Sequence, residues 1–272
     1  MGLAPHLNRR VAKPPASLGR GKLAVAGVTL LDRPSPNYGP RPPEQPVDIL
    51  LLHYTGMVSA TAALARLCDP AARVSAHYLI DEDGTCYRLV GEEGRAWHAG
   101  ESSWAGADDI NSRSIGIELV NPGHEFGYRP FPEAQIAALE ALARDILARH
   151  PAIRPSRVLG HSDVAPRRKQ DPGELFPWAR LARAGIGLWP EASPPVSLET
   201  APFGPEESGP SVRSLQDELA RYGYGIALSG RYDELTAAVV TAFQRHFRQA
   251  RVDGIADGET RATLRRLLGL LG

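Results

Sequence analysis

Between residues 38 and 189 short apolar runs alternate with stretches of helical spacing. "VDILLLHYT" (47–55) is apolar almost without interruption, as expected of a strand buried on both faces. "TAALARLCD" (61–69) has helical composition and spacing. In "SAHYLIDEDGTCYRLV" (75–90) two strand-like runs flank Asp-Glu-Asp-Gly-Thr, which predicts a hairpin. "SIGIELV" (114–120) reads as a further strand. "PEAQIAALEALARDILARH" (132–150) places Ile136, Leu139, Leu142, Ala143, Ile146 and Leu147 on one face of a helix that Pro151 stops. "SRVLG" (156–160) is a short strand leading straight into His161. Strands with helices among them predict an α/β fold, a mixed central sheet flanked by helices.

Proline-rich stretches punctuate the chain at 32–47 and 190–210, and the second, "PEASPPVSLETAPFGPEESGP", reads as a linker. The expected organisation is an N-terminal arm (1–37), a main domain (38–189), the linker (190–210) and a C-terminal domain (211–272). The last piece is marginal for an isolated core, so a small, compact helical module is expected there. Near the N-terminus basic residues precede "LAVAGVTLL" (23–31), but no small-x-small cleavage site follows. That segment reads as a short strand or arm instead of a signal peptide.

Charge narrows the class of partner. Thirty-one basic and 31 acidic side chains cancel, which argues against a nucleic-acid or anionic-membrane binder. No run of 18 apolar residues predicts a transmembrane segment. Cys68 and Cys86 are too few for a four-cysteine zinc site; whether they pair, and the compartment, stay open.

The candidate chemistry lies at the ends of the apolar strands. His53 ends one of them and His161 follows another, and Asp171 lies ten residues further, across a loop containing Pro166. If the two strands are neighbours, both imidazoles can face one cleft. Two histidines and a carboxylate suit a catalytic zinc, which takes three protein ligands and lowers the pKa of a bound water to about 7. Glu118 is a carboxylate within an apolar strand, expensive to bury without a purpose, and is the candidate proton shuttle. Lys169, one of only three lysines in the chain, is the candidate for oxyanion charge. Other readings stand beside these: Asp163 as the carboxylate, His77 or His98 as ligands, Glu118 as a salt-bridged structural acid, Lys169 as a solvated charge. His124 begins no His-Glu-x-x-His motif, because the fifth position is Tyr128.

"LLLHYTG", "SAHYLI", "RAWHAG", "NSRSIGIELVNPG" and "GHSDVAPRRKQDPGELFPW", in this order between residues 38 and 189, resemble the zinc-dependent N-acetylmuramoyl-L-alanine amidases of the type-2 amidase family. The resemblance implies a peptidoglycan hydrolase that cleaves the amide between N-acetylmuramic acid and L-alanine. It implies Zn2+ held by His53, His161 and Asp171, with Glu118 as catalytic acid/base and Lys169 as oxyanion residue. Some members carry a catalytic tyrosine directly before the hairpin histidine; here that position is Ala76, which leaves Glu118. Trp97 and His98, with His77 and Asn111, are candidate substrate contacts, with loop packing as the alternative.

The segment from "SVRSLQDELARYGYG" to "TRATLRRLL" resembles the small three-helix peptidoglycan-binding domain. Val239, Phe243 and Phe247 are expected in its core, and Asp233 and Asp257 at helix starts. Such a module, tethered, keeps the hydrolase near an insoluble polymer. The implied partners are peptidoglycan or muropeptides. The cell envelope is the favoured location, with the cytoplasm as the alternative. The rival functions are a non-catalytic peptidoglycan recognition protein and a zinc peptidase acting on the stem peptide.

Overall fold

The computed structural model describes residues 22–25, 28–191 and 202–271. Most of the expected N-terminal arm and the middle of the linker lie outside these residues. Among the described residues nine strands run in chain order: β1 (Lys22–Val25), β2 (Val28–Asp32), β3 (Tyr38–Pro40), β4 (Ile49–Tyr54), β5 (Tyr78–Ile80), β6 (Cys86–Arg88), β7 (Gly94–Ala96), β8 (Ser114–Leu119) and β9 (Val158–Gly160). The helices are α1 (Ala60–Leu67), α2 (Ile110–Arg113), α3 (Gly123–Phe126), α4 (Glu133–Arg149), α5 (His161–Val164), α6 (Trp178–Arg183), α7 (Pro210–Tyr222), α8 (Glu234–Phe247) and α9 (Gly258–Gly269).

Seven strands form one mixed sheet in the order β1-β2-β6-β5-β8-β4-β9, and β3 pairs with β7 in a small second sheet. Strands β5, β8, β4 and β9 are mutually parallel, while β5 and β6 form the antiparallel hairpin expected over 75–90. Part of the apolar stretch 23–31 becomes β2, which extends the sheet by pairing with β6. The fold is thus the mixed α/β sheet with flanking helices that the sequence pattern predicts. Cys68 and Cys86 are both free thiols.

Strand β4 shows why its sequence is apolar without alternation. Ile49, Leu50, Leu51 and Leu52 are all fully enclosed, because successive side chains enter two different cores. Leu50 and Leu52 join Ile115, Ile117 and the α4 stripe of Ile136, Leu139, Leu142, Ala143 and Ile146 on one face. Ile49 and Leu51 join Leu159, Trp104 and the C-terminal helices on the other. His53 continues this second series, so it leaves the sheet on the face that the C-terminal module covers.

The C-terminal segment is a three-helix module, α7 to α9, with Asp233 and Asp257 accepting from Thr236 N and Thr260 N at the starts of α8 and α9. Val239, Phe243 and Phe247 are buried as expected, but in a core shared with the main domain instead of a private one. At the seam Trp104 meets Tyr224 edge-on, ring centroids 4.9 Å apart, and Ala105 N donates to Gly223 O at 2.7 Å. Gly223 has φ 138°, and a Cβ there would come within 2.5 Å of the Trp104 indole, so both conformation and contact require glycine. The module is docked, which a sequence reading in terms of a tether does not anticipate.

Candidate metal centre and catalytic cleft

Register brings the expected residues together. On parallel neighbours, His53 of β4 pairs with Glu118 of β8, and Leu52 pairs with Gly160 of β9, so His161 follows at the same level. All three stand at the carboxyl ends of adjacent parallel strands, the edge where open α/β sheets place their sites. Asp171 returns to this edge through the loop after α5, where Ser162 N donates to Asp171 O at 2.9 Å.

His53 Nδ1, His161 Nδ1 and Asp171 Oδ2 converge: 2.9 Å between the two nitrogens, 3.1 and 3.0 Å from each to the carboxylate. All three side chains are buried. The proton on each ring follows from its other nitrogen. His161 Nε2 lies 2.9 Å from Ala99 O, an acceptor only, so Nε2 carries the hydrogen and Nδ1 a bare lone pair. For His53 the chain of bonds is longer. Ser114 Oγ donates to Ile110 O at 2.7 Å and can therefore accept from His98 Nε2 at 3.3 Å. His98 Nδ1 then accepts from His53 Nε2 at 3.0 Å, which leaves His53 Nδ1 bare as well. Two lone pairs and a carboxylate oxygen pressed together repel one another unless a cation lies among them. The donor set, nitrogen and oxygen with fixed outer partners, fits a divalent metal.

Protonation preferences agree with neutral His53 and His98. Burial, and then His161, lower the His53 pKa to about 4. Burial and the neighbouring His53 hold His98 well below the ordinary histidine value. Burial opposes ionisation of Asp171, but the adjoining His161 and His53 rings outweigh it and keep the carboxyl below its usual range. Glu118 behaves oppositely: burial, then the charge of Asp171, raises its pKa well above that of an ordinary glutamate, with Lys169 opposing. Its Oε2 is enclosed and has no hydrogen-bond partner among the described residues, so this oxygen is free to exchange a proton with something in the cleft.

The cleft above these groups has a volume of about 450 Å³ and is lined by Glu118, His161, Lys169 and Asp171 together with Trp97 and His98. Among the expected substrate contacts, Trp97 and His98 thus reach the cleft wall, whereas His77 and Asn111 do not line it. His77 is completely enclosed, accepting from Gly116 N at 2.9 Å through Nδ1. Asn111 Oδ1 accepts from His98 N at 3.0 Å and Ala99 N at 2.9 Å, so its work is to hold the loop that carries both outer partners of the histidines. Asp163, the alternative carboxylate, points away from the triad and accepts from Gly160 N at 2.8 Å.

Sequence reasoning missed the outer shell of Ser114, His98 and Ala99. One signal for it exists: a glycine inside an apolar strand marks a close approach. A Cβ on Gly116 would lie 2.5 Å from His98 Nδ1, so the glycine of "SIGIELV" makes room for the His98 ring.

The fold and the triad define a class: an α/β protein with a buried cluster of two histidines and one aspartate able to hold a metal ion, at the carboxyl edge of its parallel strands, beside a carboxylate. Residues 43–174 match the N-acetylmuramoyl-L-alanine amidase family, and residues 208–264 match a peptidoglycan binding domain. The chain is 42% identical over 238 residues to the N-acetylmuramoyl-L-alanine amidase AmiD of Escherichia coli, covering 83% of this chain and 84% of the relative. The 1,6-anhydro-N-acetylmuramyl-L-alanine amidase AmpD of Haemophilus influenzae is 34% identical over 54% of this chain and 86% of its own length. Among solved structures, the complex of E. coli AmiD with anhydro-N-acetylmuramic acid-L-Ala-D-γ-Glu-L-Lys superposes with a TM-score of 0.72 at 40% identity, covering 83% of this chain and 90% of that one. AMPDH3 of Pseudomonas aeruginosa in complex with anhydromuramic pentapeptide gives 0.68 at 34% identity, over 83% and 92%. The chain belongs to the N-acetylmuramoyl-L-alanine amidase family.

Proposed function

We propose that the protein is a zinc-dependent N-acetylmuramoyl-L-alanine amidase that hydrolyses the amide joining the lactyl group of N-acetylmuramic acid to L-alanine in peptidoglycan or its muropeptide fragments. The observation that carries this reading is the convergence of two bare imidazole nitrogens and a carboxylate oxygen beside an unpartnered Glu118 oxygen in an open cleft. His53, His161 and Asp171 would hold the ion. When bound, zinc supplies Lewis-acid polarisation and an activated water.

Glu118 takes the proton from the attacking water and returns it to the leaving alanine nitrogen. Its raised proton affinity suits both halves of that task. Lys169, on the cleft wall, offers positive charge to the oxygen of the scissile carbonyl as it becomes an oxyanion. Trp97 offers an aromatic surface to the sugar or the stem peptide. The two relatives whose structures contain anhydromuramoyl peptides support the substrate class, and the peptidoglycan binding domain supports action in the cell envelope. Among the described residues no helix is long and apolar enough to cross a membrane.

The reading is tested by stripping the protein of metal, restoring zinc stepwise, and following release of peptides from a muramoyl-peptide substrate. Activity that returns at one equivalent of zinc supports it. Full activity in the metal-free protein contradicts it, and a zinc-loaded protein that binds sacculi without releasing product supports the recognition-protein alternative.

A further inference from the structure

The seam between the two domains contains a buried carboxylate that belongs to one domain and is satisfied by the other. Asp163 is 1% exposed, and its Oδ1 accepts from the Tyr224 hydroxyl at 2.7 Å. Its Oδ2 accepts from His246 Nδ1 at 2.7 Å as well as from Gly160 N at 2.8 Å. Asp163 shares the single turn of α5 with His161, and Gly160 is the residue just before it. The hydrogen bonds that fix this carboxylate therefore also fix the turn that aims His161 Nδ1.

We infer that Tyr224 and His246 of the C-terminal module are positioning residues for the metal centre, acting through Asp163 on His161. This rests on His161 being a zinc ligand, as proposed above. His246 is held too firmly to be an adventitious partner. Its ring stacks on Trp178 of the main domain at 3.7 Å and on Phe247 at 3.8 Å, with interplanar angles of 23° and 5°. Tyr224 is equally enclosed, 3% exposed, against Trp104. Without these two donors Asp163 would keep only the Gly160 amide, and a buried carboxylate that is short of partners either draws in water or moves. Further along the same loop, Arg245 of α8 donates to Gln170 Oε1 at 3.3 Å, one residue before Asp171. Gln249 donates to Phe176 O at 2.7 Å. The module thus holds the ligand-bearing segment at both ends. The C-terminal module is therefore part of the framework that positions His161 and Asp171.

The test uses full-length Tyr224→Phe, His246→Phe and the double variant. Each removes a donor while preserving ring volume and, for His246, the stacking. Zinc affinity is read by chelator competition, and hydrogen exchange over residues 158–164 is read in metal-free protein. Leu264→Ala, in the α9 core, weakens the module without touching Asp163. The expected result is an approximately tenfold rise in the zinc dissociation constant for the double variant, in the range of outer-shell changes at metal sites. Faster exchange at 158–164 but not in α4 should accompany it, and Leu264→Ala should leave the zinc constant unchanged. A double variant within twofold of wild type in zinc affinity and exchange overturns the inference. So does a Leu264→Ala protein that loses zinc equally. Should the wild type take up no zinc, the proposed function fails, and the metal-free exchange measurement still decides whether the module holds the turn.

Discussion

Replacing His98 by Phe isolates what the outer shell does. The ring volume is kept, but His53 Nε2 loses the acceptor it has at 3.0 Å, while the His53 ring itself is 1% exposed. A buried N–H left without a partner costs about 1–3 kcal/mol. The ring can avoid that penalty only by rotating or by changing tautomer, and either removes the Nδ1 lone pair from the site. The perturbation therefore falls on metal binding, at 1.4 kcal/mol per factor of ten, as an affinity loss of about 5- to 100-fold. Equilibrium competition with a chromophoric chelator measures it directly on the folded protein. His98→Asn serves as the rescue, because its side-chain oxygen can take the place of Nδ1 as acceptor and should recover most of the affinity. Gly116→Ala should act in the same direction as His98→Phe by displacing the ring. A His98→Phe protein that binds zinc within twofold of wild type would refute the tautomer argument, and so would a His98→Asn protein as impaired as the Phe variant.

Glu118→Gln should lower kcat by about 10²- to 10⁴-fold while zinc affinity stays near that of wild type, checked by steady-state kinetics beside the chelator titration. Lys169→Ala should lower kcat by roughly 10²- to 10³-fold, the effect of losing one oxyanion partner, without displacing zinc. Acid should destabilise the metal-free protein. Burial, with the Arg41 guanidinium adding to it, lowers the His77 pKa to about 3, below the value near 6.5 of the unfolded chain. The unfolded state then binds the extra proton first, so stability falls as pH drops from about 6.5 toward 3. His77 alone contributes on the order of 5 kcal/mol to that loss. Denaturant unfolding at a series of pH values checks the sign; a midpoint unchanged between pH 7 and pH 4.5 would contradict it.

Much of the candidate site's geometry was legible in the sequence because it depends on strand ends and on motifs of fixed spacing. The apolar run before His53, the short strand before His161 and the lone carboxylate of "SIGIELV" sufficed to bring three functional groups to one sheet edge. What was not legible depends on contacts far apart in sequence. The pairing of His53 with His98 needs the loop that Asn111 holds, and nothing local in "RAWHAG" distinguishes an orienting histidine from a substrate contact. His77, a candidate contact by its motif, is instead a buried acceptor under β8. The docking of α7–α9 was hidden for a related reason. Val239, Phe243 and Phe247 look the same at helical spacing whether their core is private or shared, and only the second apolar face of β4 hints that something must cover it.

Amidase and peptidase differ in which bond is hydrolysed and where the oxygen of water ends up. The most direct measurement is turnover of a muramoyl-L-alanyl peptide by the zinc-loaded protein in ¹⁸O water, with both products analysed by mass spectrometry. The account predicts one ¹⁸O in the lactyl carboxylate of N-acetylmuramic acid and an unlabelled peptide with a free N-terminal alanine. Label in a carboxylate of the stem peptide would contradict it and make the protein a peptidase.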